Sequence, residues 1–175
     1  MTKNDFAYKA HKNAQEKGFW ENKLSIEHCL MLVVTEVSEC VEADRKGKKA
    51  HRVLYSMGFP TVLGDYEIHI KGTVEDEIAD IAIRLADLAG ALGIDFDKLR
   101  PCNYHRAFEK FTFTENAFAL IKGLCRDKIA ISKRILFGLD YVFNWAKSLN
   151  IDLWFFIEQK MKYNALRPRL HGKIY

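Results

Sequence analysis

Apolar residues recur three and four positions apart along most of this chain, and that period sorts it into helices. Ile26, Leu30, Val33, Val37 and Val41 fall on one stripe, so the spacing predicts a helix reaching Lys46 with Ser25 as its N-cap. Gly47 closes it after basic residues in the last turn, which suits the helix dipole. A second stripe, Ile78, Ile81, Ala82, Leu85, Ala89 and Leu92, predicts a helix from the N-cap candidate Thr73 to Leu92, with Gly93 after it. Ahead of both, a helix from Asp5 to Lys17 ends at Gly18 and leads into Phe19 and Trp20. After Pro101 the pattern resumes over 115–126, 129–148 and 152–163, and Pro168 ends it.

One stretch breaks the period. Between Ala50 and Gly72, which includes Gly58, Pro60 and Gly64, Tyr66, Ile68 and Ile70 alternate with Glu67, His69 and Lys71. Alternation by two is the signature of a strand and predicts a small β-hairpin-like insertion. A connection this long in a compact domain is either a cover over a functional site or a plain surface excursion.

The helix ends also repeat. Leu92-Gly93-Ile94-Asp95-Phe96 is echoed by Leu149-Asn150-Ile151-Asp152-Leu153, each after an amphipathic helix that itself follows another. This reads as a degenerate duplication of a two-helix unit, against the competing reading of chance similarity. On that offset Glu77 corresponds to Arg134 and Asp80 to Phe137, so the second copy lacks the acids.

Length and composition narrow the class. The chain's 175 residues, 49% hydrophobic and 29% charged with only 10 Gly and 3 Pro, suit one all-α domain over 1–175, with halves at 1–100 and 106–175. The net charge of +4 gathers at Arg45-Lys46, Lys48-Lys49 and the tail from Lys160 to Lys173. That excess favours an anionic ligand but is too mild to demand nucleic acid. Cys29, Cys40, Cys102 and Cys125 form no CxxC pair, and no basic segment followed by an apolar run opens the chain. Free thiols in a reduced, cytoplasmic compartment are the expectation, with no membrane span.

Candidate chemistry lies beside the two stripes. Glu36 and Glu39 stand on a flank shared with Cys29, Leu32 and Ala43, and Glu77 and Asp80 stand at the edge of the later stripe. Each pair is spaced i, i+3 and projects from one side of its helix. Carboxylates on an apolar flank are costly to ionise unless a cation or hydrogen bonds compensate. Two such helices side by side would gather four carboxylates, and an oxygen-only ligand set suits Mg²⁺, or Mn²⁺, rather than zinc. The plainer reading makes Asp80 and Arg84, at i, i+4, a surface ion pair.

Glu36-Val-Ser-Glu39 within LMLVVTEVSECVEADRKGK, followed by Glu77-Ile-Ala-Asp80 within EDEIADIAIRLADLAGALGID, resembles the ExxE…ExxD signature of MazG-like nucleotide pyrophosphohydrolases. AHKNAQEKGFW before the first motif and KMKYNALRPRLHGKIY at the end extend the resemblance over more than half of the chain. It implies an all-α helical bundle that hydrolyses a nucleoside triphosphate, a dNTP or non-canonical NTP, between its α and β phosphates. Glu36, Glu39, Glu77 and Asp80 would be the Mg²⁺ ligands, with Glu39, or Glu36, as the base that accepts the proton of the attacking water.

Lys160, Asn164 and Arg167 recur at i, i+4 and i+7 and offer an ammonium, an amide and a guanidinium to phosphate oxygens. The resemblance assigns them to the triphosphate; otherwise they are a solvated helix end, with Lys162, His171 and Lys173 as weaker neighbours. Trp20, beside Phe19, is the candidate surface for stacking on a base, or else a core aromatic, and His28 reads as a structural histidine. Two departures from the compact pattern stand out: the 50–72 insertion, and extra helices that would let one chain supply what two subunits supply in shorter relatives. Association into homo-oligomers stays open. Rival readings are a phosphoribosyl-ATP pyrophosphohydrolase, a catalytically inactive helical module binding nucleotide or nucleic acid, and a ferritin-like di-metal bundle. The last expects ExxH pairs, which neither acid motif provides.

Overall fold

The computed structural model describes residues 1–56, 62–100, 106–172 and 174. Gly58, Pro60, Pro101, Cys102 and Lys173 lie outside the described residues. Within them the chain is helical, without strands: α1 (Lys3–Glu16), α2 (Ile26–Arg45), α3 (Arg52–Ser56), α4 (Val62–His69), α5 (Val74–Ala91), α6 (Phe113–Leu124), α7 (Ile131–Ser148) and α8 (Leu153–Leu166). No helix among these residues is long and apolar enough to cross a membrane.

Local chemistry sets most boundaries. The Ser25 hydroxyl accepts from the His28 N–H at 3.0 Å, and the Thr73 hydroxyl accepts from the Asp76 N–H at 3.3 Å, so the N-caps of α2 and α5 are those the sequence predicts. Thr2 with Asp5, and Thr112 with Glu115, close capping boxes on α1 and α6. The echoed ends of α5 and α7 share one geometry. Gly93 and Asn150 take left-handed φ values of 61° and 59°, and the next N–H, of Ile94 or Ile151, reaches back to the Ala89 or Ala146 carbonyl at 3.0 or 2.9 Å. Both are Schellman-type stops.

The expected hairpin between the acid helices is instead the helix pair α3 and α4. Tyr66 and Ile70 are fully buried while Ile68 is 74% exposed, so burial follows a spacing of four and not of two. Polar residues between three apolar ones mimic a strand when only two of the three face the core.

α5 is the central helix and packs against α1, α2, α7 and α8, while α6 lies on α2 and α7. Ile78, Ala79, Ile81, Ala82, Leu85, Ala86 and Ala89 have no exposed surface. The alanines keep that surface low, so neighbours approach closely from several sides. At the α1 crossing even an alanine is too large: a Cβ on Gly90 would lie 2.5 Å from the His11 Cβ and 2.6 Å from the Ala7 carbonyl oxygen. Gly90→Ala therefore forces α1 away from α5, and the strain outweighs its gain in helix propensity. A net loss of about 1–3 kcal/mol is expected in chemical denaturation; an unchanged or raised midpoint would show that the crossing is looser than these contacts imply.

Candidate functional site

α2 and α5 lie side by side, and their facing flanks carry the acids. Cys29, Glu36, Cys40 and Ala43, which continue the flank beside the first apolar stripe, are buried together with the stripe residues Leu30, Val33 and Val37. Glu36 is 4% exposed, Glu77 6% and Asp76 1%, whereas Glu39 stands exposed at the rim. One carboxylate oxygen from each of Glu36, Glu39 and Glu77 lies within 4.8 Å of the others, close enough for all three to reach one cation.

The remaining acids are held by internal cations. Arg84 donates from Nε to Glu36 Oε1 at 2.6 Å, so it crosses to α2 instead of pairing with Asp80 along α5. Burial works against the Arg84 charge, but the Glu36 carboxylate outweighs it and holds the guanidinium above its ordinary range. Asp80, the fourth acid of the motif, is gripped by Lys160 Nζ at 2.6 Å. The same ammonium donates to Asp76 Oδ1 at 2.8 Å, and that oxygen also accepts the Tyr66 hydroxyl at 2.5 Å. The second Asp76 oxygen takes the Gly72 N–H at 2.9 Å. Burial pushes Asp80 upward and opposes the Lys160 charge; Asp80 and Asp76 nevertheless keep the ammonium well above the usual lysine range.

Glu77 is the member left uncompensated. Among the described residues its Oε2 is buried without a hydrogen-bond partner, and burial, with repulsion from Asp80 and Asp76, pushes its carboxyl up to about 9. A buried acceptor without a donor, converging with two more carboxylates, fits a hard divalent cation and offers it only oxygen.

The acids line a cavity of about 360 Å³. Lys160, Asn164 and Arg167 line it from α8 and its C-cap, and Asn164 Oδ1 is another buried acceptor with no partner. Arg167 is tethered, donating to the His171 carbonyl at 3.0 Å. Phe19, Trp20, Leu24, Leu32, Ile83 and Leu88 supply apolar wall to the same cavity. Trp20 lines it too, and its Nε1 donates to Asp87 Oδ1 at 2.8 Å, an oxygen that also meets His11 Nδ1 at 2.8 Å. His28 lines the same cavity.

Sequence reasoning overlooked Asp76, Asp87, Tyr66 and His11. Asp76, Asp80, Arg84 and Asp87 recur at i, i+4, i+8 and i+11, a polar row along an otherwise apolar helix, and that row was the available signal. No family model, curated protein or solved structure matches the chain.

Glu77 makes stability depend on pH. Its carboxyl holds a proton in the folded chain from the ordinary glutamate value of 4.5 up to about 9, whereas the unfolded chain has lost it. Unfolding then releases a proton, so stability falls as pH rises across that window. Without divalent ions the melting temperature of the wild type should drop over this range more steeply than that of Glu77→Gln. Mg²⁺ should raise the wild-type value chiefly at the alkaline end. Parallel curves for the two chains would contradict the assignment.

Proposed function

We propose that this chain is a Mg²⁺-dependent nucleoside triphosphate pyrophosphohydrolase, cleaving dNTPs or non-canonical NTPs into the monophosphate and pyrophosphate. The observation that carries the reading is the convergence of Glu36, Glu39 and Glu77 around the unpartnered Glu77 Oε2, in a cavity whose wall also includes Phe19 and Trp20. A triphosphate needs cations and a base needs a π face, and the cavity lining includes both.

Glu36, Glu39 and Glu77 would hold Mg²⁺, with Asp80 beside them. Mg²⁺ supplies charge neutralisation to the phosphate oxygens and activates water as a nucleophile. Arg84 already balances Glu36, and Glu77 is buried, so the exposed Glu39 is the carboxylate suited to accept the proton of the water that attacks the α phosphorus. Asn164 turns its amide and Arg167 its guanidinium toward the phosphates, and Lys160 has one of its three N–H donors left for them. Trp20, locked by Asp87, offers a rigid ring to a base.

The second half fits the same reading, with α6 and α7 acting as a degenerate counterpart of α2 and α5 in a MazG-like tandem bundle. The matched stops after α5 and α7, and the packing of α7 on α5, support it. Arg134, whose Nε donates to the Leu124 carbonyl at 2.6 Å, and Phe137 occupy the places that acids would need, so one acid site per chain is expected. Free thiols at Cys29, Cys40 and Cys125 suit a cytoplasmic setting.

Pyrophosphate release from a panel of standard and modified nucleoside triphosphates should require Mg²⁺ and fall by about 10²-fold or more in kcat with Glu39→Gln. Arg167→Ala should act mainly on KM. Undiminished turnover in both Glu36→Gln and Glu39→Gln, or turnover without divalent ions, would overturn the proposal.

A further inference from the structure

We infer that Lys160 is a resident internal cation of the acid cluster, clamped by Asp76 and Asp80 under Tyr66, and that it limits the site to one divalent ion. This rests on the metal-binding reading above and adds a stoichiometry to it.

Geometry carries the inference. Five carboxylates, those of Glu36, Glu39, Asp76, Glu77 and Asp80, belong to one acidic region on α2 and α5, and they separate into two groups. Glu36, Glu39 and Glu77 turn oxygens toward one another. Asp76 and Asp80 turn theirs to the Lys160 ammonium at 2.8 and 2.6 Å, although Asp80 sits only one turn beyond Glu77 on the same helix. Lys160 is 5% exposed, so its ammonium is held inside the protein and not in solvent. Two of its three donors are committed to carboxylates.

The clamp is built from three distant parts of the chain. α5 supplies both acids, α8 supplies Lys160, and α4 supplies Tyr66, whose hydroxyl donates to the same Asp76 oxygen. The Tyr66 ring stacks on Tyr163 at 4.5 Å, and the ammonium lies 5.8 and 6.0 Å from these two ring centres. The 50–72 connection thereby gains a role, since it delivers the hydroxyl that fixes Asp76, and through Asp76 the cation. With the ammonium in place, Asp76 and Asp80 are compensated and have no need of a second ion. Without it, Asp80 loses its cation and Asp76 keeps only the neutral donors of Tyr66 and Gly72, beside Glu77, an arrangement costly enough to draw in another cation.

The test is Mn²⁺ binding by equilibrium dialysis with electron paramagnetic resonance, on the full chain without nucleotide. Wild type should take one Mn²⁺ per chain; Lys160→Met should take two; Lys160→Arg, which keeps the charge, should return to one. Two ions in the wild type would overturn the inference while leaving the metal site standing, as would a folded Lys160→Met chain that still takes one. No ion in the wild type would remove the metal-binding reading itself and the inference with it. Where Lys160→Met fails to fold, Lys160→Gln, which removes the charge but keeps a polar side chain, takes its place: two ions support the inference and one overturns it.

Discussion

Carboxylates placed between packed apolar helices lose their hydration, and each must find a cation, a hydrogen bond or a proton in return. That requirement organises this protein around the contact of α2 with α5. Arg84 answers it for Glu36, and Lys160 with Tyr66 answers it for Asp76 and Asp80. Among the described residues Glu77 Oε2 receives no such answer, and its neighbours Glu36 and Glu39 turn oxygens toward the same place. The cluster sets five carboxylates against two internal cations, and the proposed divalent ion would offset the excess at Glu77.

The rest of the fold can be read as support for that cluster. The alanine-rich surface of α5 lets four helices crowd around it, which dries the cluster and strengthens every electrostatic interaction inside. Gly90 lets α1 come close enough for His11 to reach Asp87, and Asp87 in turn fixes Trp20 in the cavity wall. α8 brings Lys160 to the acids and Asn164 and Arg167 to the same cavity, so a single helix serves both the internal balance and the ligand space.

What was legible in the sequence was what local chemistry decides. Ser25 and Thr73 cap the acid helices, Gly47 and Gly93 follow their ends, and the apolar stripes give the long helices their faces, because a helix of some 20 residues repeats its signal several times. α4 is only 8 residues long, and its few apolar positions fit a period of two as well as one of four; only the burial of Tyr66 and Ile70 distinguishes them. Of the four motif acids, three glutamates converge as their spacing suggests, and Asp80 turns to Lys160. That pairing joins residues far apart in the chain, and periodicity carries no information about it. Lys160 reads as a solvated donor from the sequence for the same reason: its burial is made by α4 and α5, not by its own helix.

The central claim is that the Glu77 carboxyl is kept out of its ordinary range by burial among other acids and is restored by a divalent ion. Titration of that carboxyl by carbon-13 NMR, with and without Mg²⁺, tests it most directly. The predicted result is a midpoint near 9 without the ion and a fall toward or below the ordinary glutamate range when Mg²⁺ is added. A midpoint already near 4.5 without Mg²⁺, or one that Mg²⁺ leaves unmoved, would contradict it.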